Sequence, residues 1–453
     1  MSTNQLLKKG YTEELASFVF EFHDRELSLQ ELTQVKRVII DYYCAAITGS
    51  TSATSQTILN YLIENEGEGK TNVIGSSIKL SKTNAAFING TSAHALDFDD
   101  GHTVGSTHPG SVVLPAVFAV SETIKADPSK IIKAIVVGYE IGLRIAAAIH
   151  PVSRKKGFHN TPVAGIFGAA AAVSYLYDSD IRQIRNAFGI AGSLCGGTFA
   201  FLGSGSEVKR IHPGQAAQDG IKAAELAIAG LTGPETVFET ENGIFMTFAD
   251  NQINPEILCK SLDAPLEIMN IYFKPYPCCR HLHVAIDCIM NIKERGMLDL
   301  STIQKIKVGV NQIAALHGHK HCTNLLDAQM SLPYSIAVAL LNNSLQVNHF
   351  KPENAGEQVW ELCDKIEIYV DEEADKNYPQ KRAAKVEIIM DDGRTIKEVL
   401  DNPLGEPTRP LSDRQIEAKF YDNCAPIIGE EKAEKFIENM KSFQNDLDFL
   451  YEI

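Results

Sequence analysis

The sequence has no CxxC pair, and its nine cysteines, an odd number, fall at no regular spacing. That excludes a structural zinc module and a disulfide framework, and it fits free thiols in a reducing compartment. The helical arrangement H-E-x-x-H is missing too. His281-x-His283, His317-x-His319-x-His321 and the Asp97-Phe-Asp99-Asp100 cluster have spacings that a divalent ion could use, but without that helical arrangement or a Cys/His set with finger spacing no metal is expected. No GxGxxG follows a strand and no GxxxxGK[ST] occurs, which excludes the common nucleotide cradles. Runs dense in Lys or Arg are absent and the net charge is −15, which argues against nucleic acid or an anionic membrane as partner. Apolar runs such as Ile131–Val137 are too short to span a bilayer, and residues 1–18 lack the apolar core of a signal peptide. A cytoplasmic protein is expected. At 44% hydrophobic and 22% charged over 453 residues, the chain can bury a large core and form more than one domain.

Helical periodicity fills residues 11–260. Ser28-Leu-Gln-Glu31 reads as a capping box ahead of a periodic run. Helices are predicted at 54–64, 82–96, 114–126, 129–149, 162–176 and 213–229, several of them rich in Ala and Gly. Small residues allow close helix packing. The texture changes near residue 265. Segments 303–310 and 365–370 alternate apolar and polar residues. Residues 385–390, a DDGR turn and 395–399 read as a β-hairpin. Helices at 283–293 and 331–341 lie between these strands. Beyond Pro407 the helical period returns. The expected fold is mainly α with a smaller α+β domain. Residues 1–268 together with 406–453 form the helical domain, and 269–405 form an α+β lid.

The stretch His94–Pro115, HALDFDDGHTVGSTHPGSVVLP, is the candidate centre. It holds Asp97, Asp99 and Asp100 with His94, His102 and His108, and its glycines and Pro109 predict a loop after Asp100. A solvated, Asp-capped turn is the plainer reading of such a cluster. Downstream, His159 precedes a Gly/Ala helix, where a helix N-terminus lowers an imidazole's pKa. Lys209, Arg210 and His212 stand at the mouth of another small-residue helix. Lys274, Cys278, Cys279, Arg280, His281 and His283 share a Pro-stiffened segment, and Tyr334 opens a helix. Taken singly, His159 fits a helix cap, Lys209–Arg210 a solvated face, and Tyr334 a core position.

Together the motifs LDFDD–HPG, GFH, KRIHPG, KPYPCCR–LH and SLPYS, in this order, resemble the MmgE/PrpD family over nearly the whole chain. That family includes cis-aconitate decarboxylase, 2-methylcitrate dehydratase and iminodisuccinate epimerase. The resemblance implies a homodimer that acts on a small anionic carboxylate without metal or organic cofactor. It implies catalytic roles for Asp97, His108, His159, Lys209, Lys274 and Tyr334, and substrate contacts from Thr103, His212, Cys279 and Arg280. Two positions depart from the family pattern. Gly101 replaces the Thr after DFDD, with Thr103 nearby as a substitute. Cys279 replaces a His, with His281 and His283 close in sequence. The expected reaction is decarboxylation of cis-aconitate to itaconate. Dehydration of 2-methylcitrate, epimerisation of an aminodicarboxylate, and a non-catalytic carboxylate-binding homodimer are the alternatives.

Overall fold

The computed structural model describes residues 10–203, 206–296, 298–378 and 380–453. Residues 1–9, the part of the chain start read above as leaderless, lie outside the described residues. Helix accounts for 61% and strand for 8%, a mainly α fold with a smaller α+β part. The chain divides into two units. The first contains the chain up to Ala95, Asp99–Tyr272 and Ile416–Ile453; the second contains Leu96–Phe98 and Phe273–Gln415. No helix among the described residues is long and apolar enough to cross a membrane.

In the first unit the predicted capping box forms. The Ser28 side chain accepts from the Glu31 amide and the Glu31 carboxylate accepts from the Ser28 amide, which starts the helix Leu29–Ser50. The Ala/Gly helices follow as expected: Lys82–His94, Gly110–Ile124, Pro128–Ile149, Asn160–Leu176, Ile181–Leu194 and Val208–Ile228. Their glycines permit backbone contact. A Cβ at Gly168 would lie 2.5 Å from the Gly138 carbonyl oxygen, and one at Gly214 would lie 2.1 Å from that of Phe87. Any side chain at either position would push its helix pair apart. The chain end returns to this unit. Lys419 donates to the buried Asp41 carboxylate at 2.6 Å, and Tyr43 donates to the Leu450 carbonyl at 3.0 Å.

In the second unit a four-stranded sheet runs in the order Ile366–Val370, Ile303–Val310, Ala384–Met390, Thr395–Leu400. The first pair is parallel and the others antiparallel. The hairpin predicted from alternation is present. Ala384, Val386, Ile388 and Met390 are buried, and Gly393 takes the positive φ of its turn. Helices His283–Glu294 and Leu332–Leu341 join the same apolar cluster as the sheet.

The unit boundaries differ from those expected. The first unit runs to Tyr272 because Gly101–His102 pairs antiparallel with Ile271–Tyr272, so the predicted loop after Asp100 contains a two-residue strand. The second unit extends to Gln415 because the buried Asp287 accepts from the Leu404 amide and from Arg409. It also includes Leu96–Phe98: Gln329 donates to the Leu96 carbonyl at 2.7 Å, and Lys274 to the Asp97 carbonyl at 2.7 Å.

Candidate functional site

The three aspartates of the DFDD stretch have three different sets of partners. Asp100 is structural. Its carboxylate accepts from the Gly110 amide at 3.0 Å and from the Tyr139 hydroxyl at 2.7 Å, capping the helix that begins at Gly110. Burial first, then the nearby Asp41 charge, pushes its pKa well above the usual carboxylate range. Asp99 faces two imidazoles. Its Oδ2 accepts from His94 Nδ1 at 2.8 Å, and its Oδ1 lies 3.5 Å from His108 Nδ1. Asp97 is grouped with the second unit, where its carboxylate lies 3.1 Å from Lys274 Nζ. Its φ of 53° is left-handed, a conformation Asp tolerates better than most residues.

The first unit assembles a cluster of four imidazoles. His94 ends the helix Lys82–His94, and His108 precedes the helix Gly110–Ile124. His159 is the N-cap residue of Asn160–Leu176, and His212 lies in Val208–Ile228. Ring centroids are 4.9 Å apart for His94 and His108, 6.1 Å for His94 and His159, and 5.3 Å for His159 and His212. His108 Nδ1 donates to the Asp100 carbonyl at 2.7 Å. A carbonyl only accepts, so Nδ1 carries the proton and Nε2 is the basic nitrogen. The same logic puts the proton of neutral His94 on Nδ1. His94 Nε2 is buried and has no hydrogen-bond partner among the described residues. Such an acceptor costs about 1–3 kcal/mol, which an apolar residue of similar size would avoid.

His159 and His212 share an Nδ1–Nδ1 hydrogen bond of 3.0 Å, so one ring donates and the other accepts. Burial, reinforced by His94, Lys209, His212 and His108, holds the His159 pKa well below its ordinary value. Burial, followed by His94 and Lys209, lowers that of His212 to about 4. Both rings are neutral near pH 7. For His212 the folded pKa lies below the unfolded value of about 6.5, so at acid pH the unfolded chain takes the proton first. The stability tied to the neutral ring is then present above pH 6.5 and lost as pH falls towards 4. The full shift corresponds to about 3 kcal/mol, which screening at this partly exposed ring reduces to the order of 1–2 kcal/mol. Between pH 7 and 4.5, wild type is expected to lose that much more unfolding free energy than His212→Asn, measured by urea denaturation. Parallel pH profiles would refute this.

Lys209 lies in the first turn of its helix, half-buried, and its charge reaches both of these rings. The helix starts at Val208 rather than at Pro213, so Lys209 and His212 are within it instead of at its mouth. Thr103 is half-buried in the turn after Gly101–His102. His102 is directed elsewhere, with Nε2 3.4 Å from the Glu267 carboxylate.

In the second unit Lys274 is 1% exposed and donates to both oxygen types of Asp97. The other residues of this unit expected at the site have the following protein partners. Tyr334 is fully buried between Phe350 and Trp360, and its hydroxyl donates to the His349 carbonyl at 3.1 Å. The core position offers the hydroxyl a backbone acceptor. The Arg280 guanidinium lies 3.0 Å from Glu406 and donates to the Leu404 carbonyl and to His283. His283 is fully buried, bonded to the Cys278 carbonyl, and His281 lies beside Arg382 and His317. Cys279 is half-buried, and its amide donates to the Gln329 carbonyl.

The departure at Gly101 has a physical cause. A Cβ there would lie 2.3 Å from the Tyr272 ring, so the space of a side chain at residue 101 is filled from the paired strand. Gly101→Thr is expected to cost about 1–3 kcal/mol by overpacking. In a double-mutant cycle with Tyr272→Ala, the two penalties should sum to at least about 1 kcal/mol more than the cost of the double variant. Strict additivity would show that Tyr272 does not set the limit at residue 101.

Among the described residues, His94, Asp99 and His108 offer donor atoms within 4.8 Å of one another, a set that a metal ion could use. In the observed arrangement both Nδ1 atoms carry protons directed at oxygen acceptors.

The sequence matches the MmgE/PrpD N-terminal domain over residues 13–256 and the MmgE/PrpD C-terminal domain over residues 276–445. It is 28% identical to the cis-aconitate decarboxylase-like protein oryM of Aspergillus oryzae, covering 98% of this chain and 97% of that one. It is 26% identical to the cis-aconitate decarboxylase of Homo sapiens, over 97% of this chain and 93% of that one. It is 28% identical to the cis-aconitate decarboxylase of Aspergillus terreus, over 97% and 94%.

Proposed function

The chain belongs to the MmgE/PrpD family, and from that premise we propose that it is an acid–base lyase that decarboxylates cis-aconitate to itaconate. Relatives named for that reaction match it along nearly their whole length. The observation that carries the reading is the imidazole cluster beside Asp99, in which His94 and His108 direct Nδ1–H at oxygen acceptors and His159 is held neutral by burial. Decarboxylation breaks the bond between the methylene carbon and its carboxylate, and CO2 leaves. The electron pair forms a new double bond to the methylene carbon. The former alkene pair moves to the carbon that bears the other terminal carboxylate, and that carbon takes one proton. A trianion and a proton thus become a dianion and CO2. The protein must supply a proton donor and cations that stabilise the transient charge.

In this reading His108 takes up a proton at Nε2, becoming charged beside Asp99, and delivers that proton to the carbon, while His159 and His212 shape the neutral surroundings of the reacting carbon. Lys209 and Lys274 provide positive charge for carboxylates, with Asp97 holding Lys274. Thr103 and Cys279 contribute to substrate fit. The protein acts as a homodimer in the cytoplasm, on a small carboxylic acid, without metal or organic cofactor. Dehydration of 2-methylcitrate is the second reading.

One experiment separates the readings. The protein, dialysed against EDTA, is incubated in D2O with cis-aconitate, 2-methylcitrate or iminodisuccinate and followed by NMR. Itaconate with one deuterium on its saturated methylene supports decarboxylation. Loss of water from 2-methylcitrate supports the dehydratase. Deuterium entering iminodisuccinate without net conversion supports an epimerase. Activity lost in EDTA and restored by a divalent metal would overturn the metal-free reading. Folded protein that leaves all three acids unchanged would overturn the reaction proposed.

A further inference from the structure

The helix Lys82–His94 ends on a residue to which the proposed reaction assigns no part. His94 is 1% exposed, and its Nδ1–H donates to Asp99, itself 2% exposed, at 2.8 Å. The second Asp99 oxygen lies 3.5 Å from His108 Nδ1. One buried carboxylate therefore faces two imidazoles whose centroids are 4.9 Å apart. The rings differ in access: the His94 side chain is 0% exposed and that of His108 is 15% exposed. His108 is the ring of the two that an acid can reach. His94 is enclosed, and its Nε2 has no hydrogen-bond partner among the described residues. A phenylalanine would fill the same space without burying a bare nitrogen. What the imidazole adds is the Nδ1–H aimed at Asp99.

We infer that His94 is a positioning residue. By holding one oxygen of Asp99, it keeps the other turned to His108, so that Asp99 supplies the counter-charge while His108 carries the proton. His94 acts through Asp99 and does not touch substrate. The inference rests on the acid–base role proposed for His108. The arrangement follows a general pattern in which a buried carboxylate orients an imidazole and stabilises its charged form. Here a second imidazole orients the carboxylate in turn. In the neighbouring pair, His159 Nδ1 meets His212 Nδ1 rather than a carboxylate.

The test uses full-length His94→Phe, His94→Asn and Asp99→Asn. Phenylalanine keeps the ring and removes the donor. Asparagine at residue 94 keeps a donor near the position of Nδ1. Loss of a group that orients a reacting residue commonly costs about 10–100-fold in activity. His94→Phe is therefore expected to lower kcat by about 10–100-fold with KM within about twofold, and His94→Asn to recover most of that loss. Asp99→Asn is expected to lower kcat at least as far. In protein labelled with 15N-histidine, the His108 ring signals should shift in His94→Phe and Asp99→Asn and return towards wild type in His94→Asn. A purely structural His94 would lower thermal stability without this split between kcat and KM, and without moving the His108 signals. That result would overturn the inference. If His94→Phe fails to fold, Asp99→Asn decides: wild-type kcat with unchanged His108 signals overturns it. If wild type transforms none of the three acids, the proposed reaction fails. The resting 15N spectra then judge the positioning role alone, and His108 signals identical in wild type and Asp99→Asn would reject it.

Discussion

Replacing His108 by alanine is expected to lower kcat by about 10²–10⁴-fold, the usual contribution of a positioned proton donor. The change should leave the fold intact. His108 is partly exposed, its ring donates to a backbone carbonyl, and Asp99 keeps its bond to His94. Because the proton transfer belongs to the transition state, kcat and kcat/KM should fall together. Steady-state assay with cis-aconitate, with circular dichroism as a control for folding, measures this. A folded variant that turns over at the wild-type rate would remove His108 from the chemistry.

The second large effect is expected at Lys274. In the proposed reaction its charge meets a substrate carboxylate in both the ground and transition states, so Lys274→Ala should raise KM and lower kcat/KM by roughly 10²-fold, about 2.7 kcal/mol. The structure adds a second consequence. Lys274 is buried, and it holds both the side chain and the backbone of Asp97. Its removal leaves a partly buried carboxylate without that ammonium. Breaking a fully buried pair costs about 3–5 kcal/mol, and the 19% exposure of the Asp97 side chain lowers the expectation here to about 2–3 kcal/mol. Lys274→Met retains the packing of the stem and should separate the two effects. Urea unfolding reads the stability loss, and substrate titration reads KM. Wild-type stability in Lys274→Met together with wild-type KM would contradict both roles.

The parts of the fold that were legible in the sequence are those set by local spacing. Alternation in residues 385–390 and the Asp-Gly turn sufficed for the hairpin, because burial on one face of a strand has a period of two. Ser28 and Glu31 marked a helix start because both partners lie within one turn. Pro213 misled because proline tends to open helices, whereas this one begins five residues earlier at Val208 and loses only the bond that a residue-213 amide would make. The candidate site was legible as a cluster but not as a division of labour. Three aspartates in four residues look alike, and their partners are remote: Asp97 is 177 residues from Lys274, and Asp100 is 39 from Tyr139. The contact between His94 and Asp99 spans only five residues, yet nothing in its spacing separates it from a solvated turn. Tyr334 and Arg280 lay in matching motifs, but a motif does not show that a hydroxyl faces a backbone carbonyl or that a guanidinium faces Glu406.

The ion pair between Asp41 and Lys419 sets an order of events during synthesis. Asp41 lies in the helix Leu29–Ser50, and 378 residues separate it from the ammonium that follows it in the chain and that it meets in the finished core. Until translation passes Lys419, burying Asp41 would cost several kcal/mol. The helix Leu29–Ser50 is therefore expected to keep that face hydrated on the nascent chain, where exposed apolar neighbours make it a natural substrate for a chaperone. A chain truncated before Lys419 is expected to hold its first unit less firmly closed, however complete its imidazole cluster.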